Sequence, residues 1–304
     1  YEMSASLVGS EMCIRDRKLT GKQRVLNWLL HIIMVLMVIY CLVPLLWVIF
    51  SSTKTSEGIF SSFGLWFDDK NVFWQNVQDT FAYQNGAYTR WLFNTIMYAA
   101  VAGVGATIIA TFAGYAIATM RFPGRNALLA VTLAFMSIPS TVITVPLFLM
   151  YSKIGLVGTP WAVIIPQLAT PFGLYLMIIY AQTSIPVSLI EAAKLDGAST
   201  WTIFWKVGFP LLSPGFVTVL LFTLVGVWNN YFLPLIMLSD TNDYPLTVGL
   251  NMWLKMGAQG TANGQVPNNL IITGSLIAVV PLIIAFMFLQ KYWQSGLAAG
   301  SVKQ

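Results

Sequence analysis

Side chains that usually perform covalent, redox or metal chemistry are rare in this sequence. The one histidine, His31, lies near the start of an apolar run that contains no partner for it. We expect it to be an interfacial or packing residue, because acid–base catalysis needs a second group. The two cysteines, Cys13 and Cys41, are too few for a disulfide framework or a thiolate zinc site. The sequence therefore predicts no catalytic residue, no metal site and no bound cofactor.

Glu191 and Asp196 are neighbouring carboxylates in a segment with a helical pattern. Their separation of five positions puts them on different faces of a helix, whereas general acid–base catalysis needs both groups to converge on a substrate. We expect them to make docking contacts or to cap a helix. The chain also lacks the G-x-x-x-x-G-K-[ST] motif that holds nucleotide phosphates. Any ATP and Mg²⁺ must therefore be held by another polypeptide.

Residues 228–231 have side chains suited to binding an uncharged solute. Aromatic rings stack on sugar rings, and amides form hydrogen bonds with hydroxyl groups. The alternative is that tryptophan and tyrosine mark a membrane interface, since consecutive residues point in different directions around a helix. The candidates for lining a solute path are Trp228, Asn229, Asn230 and Tyr231.

The composition is that of a membrane protein. Of the 304 residues, 57% are hydrophobic and 9% are charged, against about 25% charged in an ordinary soluble domain. The net charge of +5 does not indicate nucleic-acid binding, because the basic residues are spread along the chain and form no extended basic stripe. Six apolar runs are free of Asp, Glu, Lys and Arg and are long enough to span a bilayer: 28–50, 92–120, 128–150, 161–182, 214–238 and 269–290.

These runs predict an all-α integral membrane protein with six transmembrane helices. Prolines at 139, 146, 166 and 171 predict irregular third and fourth spans, and the small residues of 99–114 predict a tight helix contact. Most lysines and arginines flank the spans on one side if both termini are cytoplasmic. Segments 51–91 and 239–268 are then external, with a short interfacial helix in the first and a polar loop at 257–269 in the second.

The chain divides into four parts by the same reasoning. Residues 7–16, LVGSEMCIRD, look like the translation of a sequencing adapter, and we expect 1–16 to be non-native. Residues 17–27 form a cytoplasmic N-terminal segment, and 28–290 form a single six-helix membrane domain. Its cytoplasmic connector between the fourth and fifth spans covers 183–213, and 291–304 form a cytoplasmic tail.

The connector has the pattern of two short helices joined at a glycine. Pro186 fits the first turn of one helix, Gly197 stops it, and Ser199 can cap the next. Pro210 is predicted to end the second helix. An aromatic face on that helix comes from Trp201, Phe204 and Trp205. The expected object is an exposed elbow shaped to dock against a partner protein.

The elbow resembles a known motif. EAA-x-x-DGAS followed by F-x-x-V-x-x-PLLSP, over 191–214, is similar to the coupling motif of permease subunits in binding-protein-dependent ABC importers. The resemblance implies that this motif contacts a cleft on the ATPase subunit through Glu191, Ala192, Ala193, Asp196, Gly197, Ala198 and Pro210. RWLFNT (90–95), AGYAIATMRFPGR (113–125), segment 139–146, WNNYFLPL (228–235) and GLAAGSVK (296–303) resemble the carbohydrate branch, close to the maltose-type G subunit.

This resemblance implies a non-catalytic permease subunit in the inner membrane of a bacterial cell. Its implied partners are a second permease in a heterodimer, two ATPase subunits that bind ATP and Mg²⁺, an extracytoplasmic solute-binding protein, a sugar and the lipid. The tail would reach into the ATPase dimer. Loop 257–269 would probe the binding protein's ligand cleft, and a plain connector is equally compatible with its composition.

Other transport functions stay open from the sequence. Polyamine, amino-acid, phosphate and metal-chelate importers share the elbow, although a charged cargo predicts charge in the path. An ion-coupled carrier is disfavoured, because no ionisable group interrupts a span. A membrane-embedded enzyme is disfavoured by the lack of clustered His, Cys or carboxylate ligands in the spans.

Overall fold

The computed structural model describes residues 21–259 and 266–301. Residues 1–20 and 302–304, with the expectations placed on them, lie outside these ranges. The regular elements within the described ranges are all helical. The α-helices are α1 (Gly21–Ser52), α2 (Gly58–Ser61), α3 (Phe73–Tyr98), α4 (Val104–Thr119), α5 (Arg125–Met136), α6 (Ser140–Lys153), α7 (Pro160–Leu168), α8 (Pro171–Ser184), α9 (Val187–Leu195), α10 (Thr200–Ile203), α11 (Phe209–Trp228), α12 (Phe232–Met237), α13 (Leu246–Gln259) and α14 (Asn268–Ser301).

Several helical runs are long and apolar enough to cross a membrane. There are five in the described part of the chain: Val25–Ser52, Phe73–Thr119, Pro160–Ser184, Thr200–Trp228 and Asn268–Gln290. A sixth crossing results if α5 and α6, bent by 103° at the break between them, form one span. The predicted all-α membrane fold is confirmed for the described residues, with five or six crossings.

Two predicted spans are interrupted at prolines. Pro139 separates α5 from α6, and its ψ of 129° lies outside the helical region. Pro171 follows Thr170, whose extended backbone separates α7 from α8. Proline disfavours helical geometry in the preceding residue and supplies no N–H, so each helix ends there. The expected irregularity of the third and fourth spans is confirmed.

The fifth span differs from its predicted range. The helix does not stop at Pro210: α10 continues through a π-helical turn, Phe204–Gly208, directly into α11. Pro210 lies in the first turn of α11, where its missing N–H costs little, so the prediction that it ends a helix is wrong. At the other end α11 stops at Trp228, and α12 begins at Phe232. The predicted span 214–238 is therefore a longer helix, a break and a short helix.

Small residues of α4 bring it close to α8. Ala106, Ala110 and Gly114, spaced by four residues, are all buried. A Cβ added at Gly114 would lie 2.6 Å from the Cβ of Met177 on α8, well inside van der Waals contact. Small side chains at such spacing let two helix backbones approach each other. The predicted tight contact of segment 99–114 is confirmed.

A left-handed turn interrupts α3. Gln84, Asn85 and Gly86 have φ values of 50°, 56° and 76°, a region that side chains other than glycine rarely occupy. Trp253 Nε1 of α13 donates a 2.9 Å hydrogen bond to Gln84 Oε1. This bond holds the turn against α13.

The segments predicted to be external contain more helix than expected. In 51–91 the only separate short helix among the described residues is α2, and Phe73 already begins α3. In 239–268 helix α13 extends to Gln259, so the first residues of the predicted polar loop are helical. Residues 260–265 of that loop lie outside the described ranges.

Candidate functional site

Helix α9 ends in a well-defined glycine motif. Gly197 has φ +77°, and its N–H bonds to the carbonyl of Lys194 at 3.0 Å. The N–H of Ala198 reaches back to the carbonyl of Ala193, also at 3.0 Å. These two bonds form a Schellman motif, which satisfies carbonyls that a helix end leaves free. Ser199 Oγ then accepts from the N–H of Thr202 at 3.2 Å and caps α10, so the predicted glycine elbow is confirmed.

The elbow exposes most of the residues assigned to partner contact. Glu191, Ala192, Asp196 and Gly197 are exposed, while Ala193 and Ala198 are half-buried against the core. Pro210 is exposed but belongs to α11, beyond the π-helical turn. The structure thus groups six of the seven predicted residues on one short helix and its elbow and separates Pro210 from them.

Buried side chains fix this elbow to the membrane helices. Ile190 of α9 and Phe204 beyond the elbow are 8% and 3% exposed and belong to one apolar cluster. Phe204 stacks on Phe112 of α4 with ring centroids 4.7 Å apart. Trp201 stacks on the same Phe112 at 5.8 Å with an interplanar angle of 3°. The elbow is therefore packed onto α4 through these aromatic rings.

The aromatic face predicted for the second elbow helix is divided between core and surface. Phe204 is buried, whereas Trp201 is 62% exposed and Trp205 is 44% exposed. Gly208 allows the close approach of α4, since a Cβ there would lie 2.7 Å from a ring carbon of Tyr115. The junction between elbow and membrane bundle is consequently close-packed.

A second candidate site is an open cavity of about 660 Å³ in the wall of the bundle. It lies where the chain leaves helical geometry between α5 and α6, between α7 and α8, and between α11 and α12. Its polar lining residues are Ser140, Thr141, Thr144, Gln167, Thr170, Thr223 and Asn230, and none of the lining residues carries a charge. Phe172 and Phe222 form an edge-to-face pair in its wall, with ring centroids 5.5 Å apart.

The four residues predicted to line a solute path have different surroundings. Asn230 alone among them lines the cavity, where its Nδ2 donates to Gln167 Oε1 at 3.1 Å. Trp228 is buried in an apolar cluster, and Asn229 is exposed and bonds to its own helix through the carbonyl of Val225. Tyr231 is half-buried and donates from its hydroxyl to Asn251 Oδ1 at 2.9 Å. Nothing in the structure brings these four residues together.

Sequence reasoning missed most of the polar cavity wall. Gln167, Thr170 and Thr141 all lie within four residues of an intramembrane proline. A proline that breaks a helix frees backbone groups, which makes nearby polar side chains useful in an apolar region. Polar residues beside the prolines of the third and fourth spans could therefore have indicated the cavity wall from the sequence. No group of three His, Cys, Asp or Glu side chains suited to a metal occurs among the described residues.

Several helices able to cross a membrane, with an exposed elbow packed onto them, define a multi-pass membrane protein. The chain belongs to the family of binding-protein-dependent transport system inner membrane components, whose pattern matches residues 106–298. It is a non-catalytic permease subunit of an importer and a multi-pass protein of the plasma membrane.

Two relatives match this chain along nearly their whole lengths. The arabinooligosaccharides transport system permease protein AraQ of Halalkalibacterium halodurans is 31% identical over 280 residues, covering 92% of this chain and 97% of AraQ. The trehalose transport system permease protein SugB of Mycobacterium tuberculosis is 27% identical over 285 residues, covering 93% and 99% of the respective chains. A bacterial ABC transporter involved in import of the acidic polysaccharide alginate has a similar fold, with TM-score 0.78, 22% identity and coverage of 90% and 98%.

Proposed function

We propose that this chain forms half of the path through which an ATP-driven importer moves a neutral sugar or oligosaccharide. The other half is a second, different permease subunit. Two ATPase subunits bind ATP and Mg²⁺ and hydrolyse the ATP, and an extracytoplasmic binding protein delivers the sugar. The observation that carries this proposal is the elbow, which exposes Glu191 and Asp196 while Ile190 anchors it in the core.

In this scheme the elbow converts ATPase closure into movement of the membrane helices. The ATPase contacts the exposed face of α9 through Glu191, Ala192 and Asp196. Motion passes to α4 through the rings stacked on Phe112 and from α4 to α8 through the close contact at Gly114. Because packed interfaces shift as units, such motion favours one of two arrangements of the path, open to one side or the other.

A neutral sugar is the cargo that the cavity lining favours. AraQ and SugB are named for arabinooligosaccharide and trehalose transport. The cavity wall offers hydroxyls, amides and aromatic rings without a charge. A charged polyamine, amino acid or phosphate would lose its hydration there with no opposite charge to pair with, which is unfavourable. An ion-coupled carrier is the more distant alternative.

Contact between the elbow and a cytoplasmic ATPase requires six membrane crossings with both termini in the cytoplasm. α5 and α6 then act together as the third crossing, which puts the elbow on the cytoplasmic side. Broken helices are tolerated in a membrane where other helices or a cavity cover the freed backbone groups, and the cavity lies at this break.

The test compares Glu191→Ala with Glu57→Ala, a substitution of an exposed glutamate in the segment before α2. The complex is reconstituted in liposomes with its second permease, ATPase and binding protein, and its assembly is checked. We expect Glu191→Ala to lower sugar-stimulated ATP hydrolysis about tenfold, since a hydrogen bond to a charged group contributes about 1.5–3 kcal/mol. Glu57→Ala should retain the sugar-stimulated ATP hydrolysis of the wild type. Normal stimulation and uptake in intact Glu191→Ala complexes would contradict the coupling role.

A further inference from the structure

The cavity has features of a binding site rather than of a packing defect. Three helix breaks lie beside it, since its wall includes residues on both sides of each break. Irregular backbone at membrane depth is tolerated only where protein covers it or where it lines a polar space. The volume of about 660 Å³ falls within the range typical of small-molecule sites.

Gln167 and Asn230 form an amide pair across this cavity wall. Asn230 Nδ2 donates to Gln167 Oε1 at 3.1 Å, and Gln167 Nε2 donates to the carbonyl of Val163 at 3.0 Å. Each amide nitrogen carries two N–H donors, so each retains a second one after these bonds. A hydroxyl group can accept from such a donor and donate to a free lone pair of the amide oxygen. The pair is therefore suited to a ligand rich in hydroxyl groups.

Phe172 and Phe222 supply the apolar part of the same wall. Their planes are inclined by 84°, so the edge of one ring meets the face of the other. The side chains are 46% and 47% exposed, which leaves ring surface open on both. The C–H faces of a sugar ring pack on aromatic surface, while its hydroxyls lie around the rim. An amide pair beside two phenyl rings offers both kinds of contact.

We propose that this cavity is a subsite for a ring of a neutral saccharide. Gln167 and Asn230 bind its hydroxyls, and Phe172 and Phe222 pack against its C–H face. A uronate ring is excluded, since its carboxylate would be desolvated without a cation among the described lining residues. This subsite rests on the proposed sugar-import function and goes beyond it by placing a saccharide contact on this subunit.

Transport kinetics of the assembled complex test the amide pair. Radiolabelled arabinotriose, maltotriose and raffinose are the neutral probes, and alginate trisaccharide is the acidic one. For the neutral probe that wild type imports, Gln167→Leu and Asn230→Leu should each raise KM roughly five- to tenfold, the effect of one lost hydrogen bond. Gln182→Leu is the matched control, because this amide on α8 is exposed and absent from the cavity wall; its KM should change less than twofold.

Thiol labelling measures occupancy of the cavity without relying on transport. With Cys13 and Cys41 changed to serine, Thr141→Cys puts a thiol in the cavity wall, and Val142→Cys puts one outside it. A small maleimide should label Thr141→Cys, and the imported neutral saccharide should slow that labelling at least fivefold. Alginate trisaccharide should not slow it. Labelling of Val142→Cys should be insensitive to both.

The possible outcomes test the proposed subsite and the proposed sugar-import function separately. Failure of wild type to import any of the neutral probes contradicts the proposed sugar cargo. Normal import with unchanged KM in both leucine variants overturns the subsite alone. A Thr141→Cys that never reacts in the assembled complex also overturns it, because the cavity wall is then inaccessible to small solutes.

Discussion

At the residue scale, the left-handed conformation of Gly197 decides the direction in which the elbow continues. A residue with a Cβ pays about 1–2 kcal/mol for φ near +77°, whereas asparagine tolerates this region better than alanine. We expect Gly197→Ala to lower both the thermal stability of the assembled complex and its sugar-stimulated ATPase rate, and Gly197→Asn to lower them less. The measurements are unfolding temperature in detergent and hydrolysis in liposomes. Equal behaviour of both variants and wild type would show that the elbow does not need this backbone geometry.

Single residues were predictable where their role is local. Gly197 and Ser199 follow from rules for helix ends that involve only a few neighbours, and both were predicted correctly. Pro210 was not, because a π-helical turn that depends on packing against α4 precedes it. Lys54 lies in a predicted external segment, where a charged side chain is normally exposed, yet it is fully buried. Its Nζ donates to Ser62 Oγ at 2.8 Å and to the carbonyl of Phe63 at 2.7 Å.

The cavity residues show the limit of reasoning from side-chain type. Trp228 and Asn230 are two positions apart and were equal candidates, but one is buried in an apolar cluster and the other lines the cavity. Gln167 is 63 positions from its partner Asn230, so no local pattern could pair them. The pairing of these two amides depends on how far the chain bends at each helix break. Prolines in the sequence indicate where a helix breaks but not the angle of the bend.

At the element scale, the contact between α4 and α8 joins the elbow to the rest of the bundle. Gly114→Leu would force the two helices apart, because even a Cβ would lie 2.6 Å from Met177. We expect a loss of roughly 2–3 kcal/mol in stability, the upper range for overpacking, and a marked fall in stimulated ATP hydrolysis. Ile109→Phe adds volume on an exposed part of α4 and is the control, to be compared by thermal unfolding in detergent. Equal stability of the two variants would argue against a tight contact.

The positions of the long helices were predicted well from the sequence, whereas the left-handed turn that interrupts α3 was not. Long apolar runs fix where membrane helices can form, because a span has to satisfy its own backbone groups. The left-handed turn at Gln84 and Asn85 has no such local signal. It depends on Trp253, which lies 169 positions along the chain and donates to the Gln84 side chain. Tertiary contacts of this kind override the preference of ordinary residues for negative φ.

At the scale of the whole molecule, α1 has little protein around it. Its window of greatest hydropathy has no buried residue, and it packs chiefly on α14. In water this apolar surface would be unfavourable, so lipid or another protein must cover it. Such a surface is expected of a helix that crosses a membrane.

The bent pair α5 and α6 determines the topology of everything after it. If the pair crosses the membrane, the elbow lies on the same side as the N-terminus and α13 lies on the opposite side. If the pair turns back, the elbow and α13 exchange sides. The exposed residues Ser188 on α9 and Lys255 on α13 distinguish these cases, with Asp69 before α3 as the reference.

We expect an impermeant maleimide added to intact cells to label Asp69→Cys and Lys255→Cys but not Ser188→Cys, each in a chain whose Cys13 and Cys41 are serine. Labelling of Ser188→Cys should require permeabilised cells. Labelling of Asp69→Cys and Ser188→Cys without Lys255→Cys would show that the pair is re-entrant. The ATPase could then not reach the elbow from the cytoplasm, because the whole segment 187–198 would face outside. The proposed coupling role of Glu191 and the proposed six-span topology therefore depend on the same pair of helices, and one labelling pattern tests both.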